Sequence, residues 1–159
     1  MQLMSKGRSA PTHRRSIDDV LDDARSRLVR VAPRDAWQLS QDEGALIIDI
    51  RTPSDRFVAG AIPGSLHLPR ILLEWRVDPT SSHRNRAVGG LDQMLLIVCN
   101  EGFSSSLAAV ALHDLGFTNA TDITDGVCGW IAAGLPLRRP APLASGVRAG
   151  DGPPEPRLT

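Results

Sequence analysis

Cys99 is the residue of this sequence whose surroundings best suit a nucleophile. It ends an apolar run at residues 94–99 and precedes a glycine-containing loop and three serines. An apolar run of this kind predicts a buried strand, and residues 104–115 have the apolar spacing of a helix. Where a strand passes into a helix, unpaired backbone N–H groups and the helix dipole favour an anion. We therefore predict that the Cys99 thiolate is stabilised and reactive.

The residues after Cys99 are expected to form a substrate-binding loop around its sulfur. Gly102 permits the backbone conformation that turns consecutive N–H groups inward. Serine hydroxyls can cap the helix and donate to a bound group. A cysteine buried at a strand end is also a common structural residue, so both interpretations of Cys99 stay open at this point. The predicted loop comprises Asn100, Glu101, Gly102, Phe103, Ser104 and Ser105.

The second cysteine, Cys128, has two interpretations. It follows the apolar segment 120–124, and the carboxyl ends of parallel strands meet at one edge of a sheet, so its thiol can be a neighbour of Cys99. A neighbouring thiol would accept sulfur or form a protective disulfide. The interpretation that we favour places Cys128 in a small core position beside Trp130. Two cysteines in a chain without an apolar secretion signal also predict a reducing, cytoplasmic location.

The alternation of strand and helix patterns predicts an α/β fold, a parallel β-sheet with helices on both faces. Strands are predicted at residues 45–50, 65–68, 94–99 and 120–124. Helices are predicted at residues 17–30, 33–43, 71–75, 104–115 and 127–133, with a further short helix between Thr52 and Gly60. The domain is expected to span residues 17–137, between a flexible tail at 1–16 and a proline- and glycine-rich disordered tail at 138–159.

Composition argues against several classes of function. The 159 residues carry a formal net charge of +0, so no electrostatic attraction to nucleic acid or to an anionic membrane is expected. The apolar fraction of 42% and the charged fraction of 23% are typical of a globular protein, and no apolar run has the length of a membrane span. The spacing of the Cys and His residues matches no zinc site, and we predict neither a metal nor a dissociable cofactor.

Three motifs follow one another as they do in the rhodanese family, and the resemblance covers residues 33–136. The second motif, residues 99–105, looks like the family's Cys-x-x-Gly-x-Arg/Ser-Ser active loop. The third, which contains Trp130 and Gly134, resembles the closing Gly-Gly-x-x-x-Trp … Gly-Leu-Pro segment. The first resembles Asp-x-Arg … Phe … Gly-His-Ile-x-Gly-Ala/Ser … Pro and consists here of Asp49, Ile50, Arg51, Phe57, Gly60, Ile62, Gly64, Ser65 and Pro69.

The resemblance implies a single-domain, rhodanese-like sulfurtransferase. Its Cys99 thiolate would take sulfane sulfur from thiosulfate or a thiol persulfide and pass it, as a persulfide, to a thiophilic acceptor such as a thiol or cyanide. Whether a protein serves as acceptor is left open. The alternative is a rhodanese-like module that senses persulfides or binds a partner without turnover. Related phosphatases share the fold, but Ser104 and Ser105 offer no arginine to close a phosphate loop.

Four further residues are assigned supporting roles. Asp49 and Arg51 match family positions and are expected to form a fold-holding pair near the site, with a solvated surface pair as the alternative. Trp75 and Arg86 are candidate substrate contacts. The alternatives are core packing for Trp75 and a plain solvated loop around Arg86.

The sequence departs from the family pattern at four positions. Ala61 replaces the usual histidine, and Val127 is interpreted as replacing the second glycine of the closing pair. Ser104 stands where many members have arginine, and Glu101 places a carboxylate beside the sulfur. These last two changes remove positive charge that would hold a dianion. Thiosulfate is therefore expected to be a poorer donor than a thiol persulfide.

Overall fold

Four short parallel strands form the central sheet in the computed structural model, which describes residues 14–140. Asp49 pairs with His67 on one side and with Val98 on the other, so the carboxyl ends of two central strands lie side by side. Residues that follow these strands therefore start from one edge of the sheet. The strands are Leu46–Asp49 (β1), Leu66–His67 (β2), Leu95–Val98 (β3) and Ala120–Asp122 (β4), in the order β2-β1-β3-β4.

Helices cover both faces of this sheet. Successive residues of a strand point to opposite faces, and on one face Ile97 packs in a core cluster with Leu112, while on the other Leu96 packs in a second cluster with Trp130. The predicted α/β fold is thereby confirmed. The helices are Ile17–Ser26 (α1), Pro33–Asp42 (α2), Pro53–Ala59 (α3), Leu73–Val77 (α4), Ser104–Asp114 (α5) and Gly126–Ala132 (α6), with a 3₁₀ turn at Arg70–Leu72.

The first helix ends earlier than its apolar spacing predicted. It stops at Ser26 instead of continuing to residue 30, because Leu28 leaves the helix to pack against the core on the α5 face. Val31 then forms a parallel bridge with Ile123, directly after β4. This path carries the chain from α1 along the edge of the sheet and brings Arg30 next to β4.

The tails expected at residues 1–16 and 138–159 lie mostly outside the described residues. Within them, Ser16 caps α1 in a capping box with Asp19. Arg138, where the tail was expected to begin, pairs with Ala61 through two backbone hydrogen bonds of 2.8 and 2.9 Å. Among residues 14–140, no helix is long and apolar enough to cross a membrane.

A buried carboxylate closes the end of β1. Asp49 and Arg51 are 0% and 3% exposed, so they form a buried ion pair and not a solvated surface pair. Arg51 Nε and Nη2 donate to the two Asp49 oxygens at 3.0 and 2.8 Å, and Arg56 Nε donates to Asp49 Oδ2 at 3.0 Å. Arg51 Nη2 also donates to the Gly60 carbonyl at 2.8 Å. The cluster therefore ties both ends of α3 to the edge of the sheet that carries the site.

Replacing Asp49 by alanine should lower the free energy of unfolding by about 3–5 kcal/mol, because Arg51 would remain buried and charged without its carboxylate. The matched control is Glu74→Ala, which removes the Arg70–Glu74 pair of 2.7 Å, whose side chains are 37% and 26% exposed. This partly exposed pair should contribute about 1 kcal/mol or less. Chemical denaturation measures both losses. Equal losses in the two variants would contradict the prediction.

Candidate active site

Cys99 follows the last residue of β3, and its sulfur faces the first turn of α5. The Gly102 N–H donates to Cys99 Sγ at 3.2 Å, and the Ser105 N–H donates to it at 3.4 Å. Cys99 is 8% exposed, so the sulfur is shielded and still opens onto the surface. Two backbone dipoles directed at one sulfur stabilise negative charge there, on a thiolate and on a persulfide alike.

The Ser105 hydroxyl connects this sulfur to a buried carboxylate. The Cys99 thiol donates to Ser105 Oγ at 3.3 Å, and Ser105 donates to Asp122 Oδ2 at 2.9 Å. Ser106 donates to the same carboxylate oxygen at 2.8 Å. An ionised carboxylate only accepts hydrogen bonds, so the single hydroxyl proton of Ser105 points at Asp122. Once Cys99 loses its proton, this hydroxyl can turn to the sulfur while Ser106 keeps its bond to Asp122.

Arg30 binds both oxygens of Asp122. Arg30 Nε donates to Oδ1 at 2.8 Å, and Nη2 donates to Oδ2 at 3.0 Å. Asp122 is fully buried, whereas the Arg30 side chain is 19% exposed. The hydrogen bond to Asp122 raises the pKa of Arg30 above its usual value, which keeps the guanidinium charged. Behind the loop there is thus a hydrogen-bonded ion pair whose two charges balance.

The start of α6 holds two carbonyl groups of the loop. The carbonyls of Cys99 and Asn100 accept hydrogen bonds from the N–H groups of Val127 and Cys128, each at 2.9 Å. The C=O and N–H of a trans peptide point in opposite directions. Fixing a carbonyl toward α6 therefore fixes the N–H of the same peptide in the opposite direction.

Two arginines hold a third loop carbonyl, that of Gly102. Arg25 Nη2 and Arg30 Nη2 donate to it at 2.9 and 3.0 Å. Gly102 has a φ of +82°, in the left-handed region that favours glycine. A Cβ at this position would lie 2.9 Å from the backbone nitrogen of Asp125 and 3.1 Å from Arg30 Nη2. The loop therefore needs glycine here both for its backbone conformation and for the approach of these neighbours.

Asn100 lies beside the first turn of α3. The Thr52 hydroxyl donates to Asp55 Oδ2 at 2.7 Å and lowers the pKa of Asp55, and a hydrogen bond from the Asn100 side chain lowers it further. One border of the loop is thus next to a partly exposed carboxylate whose pKa is lowered.

An open pocket lies over the sulfur, and two of the predicted substrate contacts are not among its lining residues. Trp75 is 59% exposed and lines a separate pocket with Glu74 and Asp78, so it is not a core residue. Arg86 lines another pocket with Arg84 in the loop after α4. The structure therefore brings neither residue to the Cys99 loop. The pocket over the sulfur is lined by Cys99, Asn100, Glu101, Phe103 and Ser104.

Comparison with known proteins assigns this fold and loop to a family. The family model for the rhodanese-like domain matches residues 32–133, more than half of the chain. The protein belongs to the rhodanese-like family. A curated relative, the thiosulfate sulfurtransferase GlpE of Pseudomonas putida, is 35% identical over 107 residues, which cover 67% of this chain and 88% of the relative.

Two solved structures show how far the similarity extends. One, from Rhodopseudomonas palustris, is described as a protein of unknown function and a possible tyrosine phosphatase. It is 31% identical, has a TM-score of 0.72 and covers 82% of this chain and 99% of its own. The human single-domain sulfurtransferase TSTD1 is 22% identical, has a TM-score of 0.57 and covers 65% and 95% of the two chains. The human protein supports the shared fold.

The closing glycine pair of the rhodanese-like domain departs from the family pattern at a different position from the one predicted. Val127 lies within α6, whereas Asp125 and Gly126 have φ angles of 58° and 56°. Asp125 therefore occupies the first left-handed position, and the expectation about Val127 is wrong. Gly126 must remain glycine, because a Cβ there would lie 2.7 Å from the backbone of Asn100.

Cys128 does not fill a core position in this rhodanese-like domain. Its side chain is exposed and its thiol is free, so the interpretation that placed it in the core beside Trp130 is wrong. Its backbone N–H, bonded to the Asn100 carbonyl, nevertheless places it next to the Cys99 loop.

Three residues of the site, Arg25, Arg30 and Asp122, lie outside the motifs that predicted it. A carboxylate within the apolar segment 120–124 was the one signal for Asp122, because a buried charge requires a partner. The two arginines carry no such local signal. Arg25 reaches the loop because α1 packs against α5, and Arg30 reaches it because the segment after α1 runs along the edge of the sheet next to β4.

Replacing Gly102 by alanine should slow the reaction of Cys99 with iodoacetamide at least about tenfold, because the added Cβ would displace an N–H donor from the sulfur. The control is Gly44→Ala, at a φ of +70° with no neighbouring atom within 4 Å. Both variants carry similar backbone strain, but only the first disturbs the loop. Mass spectrometry of the Cys99 peptide gives the rates. A wild-type rate in Gly102→Ala would contradict the assigned loop geometry.

Proposed function

We propose that this protein is a rhodanese-type sulfurtransferase in which Cys99 carries the transferred sulfur as a persulfide. The observation that carries the proposal is the convergence of the Gly102 and Ser105 N–H groups on Cys99 Sγ, at 3.2 and 3.4 Å. Such donors stabilise an anionic sulfur without a cofactor. The family and its sulfurtransferase relatives support the same chemistry.

The proposed reaction has two balanced steps. The Cys99 thiolate attacks the outer sulfur of the donor, which forms the new S–S bond and breaks the donor's own bond to that sulfur. The leaving group is sulfite from thiosulfate or a thiolate from a persulfide, and it departs with the electron pair. A thiol or cyanide acceptor then attacks the terminal sulfur and regenerates the Cys99 thiolate. Because this cycle needs a free thiol at Cys99, the proposed location is the reducing cytoplasm.

Phosphatase chemistry is a second candidate, because the relative from Rhodopseudomonas palustris is described as a possible tyrosine phosphatase. The loop argues against it. Its serines at 104 and 105 provide no guanidinium, and the two arginines that touch the loop donate to the Gly102 carbonyl. A bound phosphate would thus lack the bidentate donor that usually neutralises its charge. Hydrolysis of p-nitrophenyl phosphate is the corresponding assay, and we expect none above the Cys99→Ser background.

Incubation with thiosulfate or a small persulfide should add one sulfur atom to the peptide that contains Cys99, and cyanide should remove it. Peptide mass spectrometry measures the addition. Cys99→Ser should acquire no sulfur and lose cyanide-dependent turnover. Cys128→Ser, which removes the other thiol, is the matched control and should load normally.

Turnover separates an enzyme from a persulfide sensor. A sulfurtransferase releases many thiocyanate molecules per Cys99, whereas a sensor loads once and stops. Loading without turnover over a panel of thiol and cyanide acceptors would favour the sensor. Full turnover by Cys99→Ser would refute the proposed nucleophile.

Replacing Glu101 by glutamine should raise kcat/KM for thiosulfate several-fold, because it removes a carboxylate from the pocket that receives a dianion. The effect on a neutral or cationic persulfide donor should be smaller. Glu43→Gln, an exposed change at the end of α2, is the control and should leave both values unchanged. An unchanged thiosulfate value in Glu101→Gln would show that this side chain points away from the donor.

A further inference from the structure

We propose that Arg25 is a positioning residue of the Cys99 loop and sets how readily this loop accepts anionic sulfur donors. The proposal rests on the proposed sulfurtransferase function, but it assigns a part of the site that lies outside the family pattern. Arg25 belongs to α1, and the match to the rhodanese-like family begins only at residue 32.

Arg25 contacts the loop and the first turn of α5 at three points. Its Nη2 donates to the Gly102 carbonyl at 2.9 Å, and its Nε donates to Ser106 Oγ at 3.4 Å. Its guanidinium carbon lies 5.4 Å from the centre of the Phe103 ring, a cation–π contact. Phe103 also lines the pocket over the sulfur. One side chain from α1 therefore contacts two consecutive loop residues, Gly102 and Phe103.

These contacts fix the peptide between Gly102 and Phe103. Its carbonyl points at the two arginines, so its N–H points in the opposite direction, away from α1. Without Arg25, the carbonyl would keep only Arg30 as a charged donor. Arg30 is itself committed to both oxygens of Asp122. Arg25, unlike Arg30, donates to the Gly102 carbonyl without also binding a carboxylate among residues 14–140.

Arg25 also adds positive charge to the loop. The charge of Arg30 is balanced by Asp122, but within residues 14–140 no carboxylate forms an ion pair with Arg25. Residues 100–105 of the loop contain neither lysine nor arginine, and Glu101 adds a negative charge. Arg25 therefore supplies from behind the loop the cation that the loop lacks. Since it is partly buried, water screens its charge less than that of a surface arginine.

The test compares two alkylating reagents at Cys99 in the full chain. Iodoacetate is an anion and iodoacetamide is neutral, and both react with the same thiolate, so the ratio of their rates reports local charge and not the thiolate fraction. Arg25→Met should lower the ratio about three- to tenfold. Arg25→Lys should keep most of the wild-type ratio, because lysine retains the positive charge although it lacks the planar guanidinium. Peptide mass spectrometry restricts the measurement to Cys99.

Arg27→Met is the matched control. Arg27 directly follows the last residue of α1, and its exposed side chain forms an ion pair of 3.9 Å with Asp114. It should leave the ratio unchanged. In Arg25→Met, kcat/KM for thiosulfate should fall by a similar factor, whereas that for an uncharged persulfide should fall less. Arg25→Gln repeats the test with a second neutral side chain.

A merely structural role for Arg25 would lower the melting temperature and slow both reagents alike. An unchanged ratio in Arg25→Met and Arg25→Gln would therefore overturn the proposal. Alkylation requires no turnover, so this result is independent of whether the protein transfers sulfur. If Arg25→Met lowers the ratio of the two rates but the wild-type protein shows no turnover, the result would support the role of Arg25 and refute only the proposed function.

Discussion

The hydrogen bonds of the buried Asp122 carboxylate are the interaction on which the site depends. Asp122 ends β4 and binds Arg30, Ser105 and Ser106, so one side chain connects the sheet, the first turn of α5 and the segment after α1. An unpartnered carboxylate at 0% exposure would be strongly destabilising. Folding therefore requires these partners to assemble, and their assembly aligns the Ser105 hydroxyl with the Cys99 sulfur.

The same logic extends to the backbone of the loop. The carbonyl and the N–H of one peptide point in opposite directions, so fixing a loop carbonyl also fixes the N–H of the next residue. The start of α6 binds two of these carbonyls, and the arginines bind that of Gly102. The N–H groups of Asn100, Glu101 and Phe103 are thus fixed, and with them the loop that carries the Gly102 N–H donor to Cys99 Sγ. Such preorganisation is the main way in which a dipolar site lowers a reaction barrier.

The sequence was sufficient to predict what depends on local pattern. The apolar run before Cys99 and the glycine and serines after it predicted a strand, a loop and a helix, and the structure contains them in this order. Local pattern failed to predict features that depend on tertiary packing. Leu28 continues the apolar spacing of α1 but packs outside the helix. Trp75 is exposed, which its residue type does not reveal.

The site is built from two parts of the chain, the rhodanese-like segment and the helix α1 that precedes it. The rhodanese-like segment provides the proposed nucleophile, Cys99, and the two backbone N–H groups that donate to its sulfur. Charge selectivity requires a further group, and with serine at position 104 the loop does not provide it. Arg25 can provide it because α1 packs on α5, the helix whose first turn holds the sulfur. On the proposed role of Arg25, a change in the packing of α1 would alter both the hold on the Gly102 carbonyl and the choice of donor.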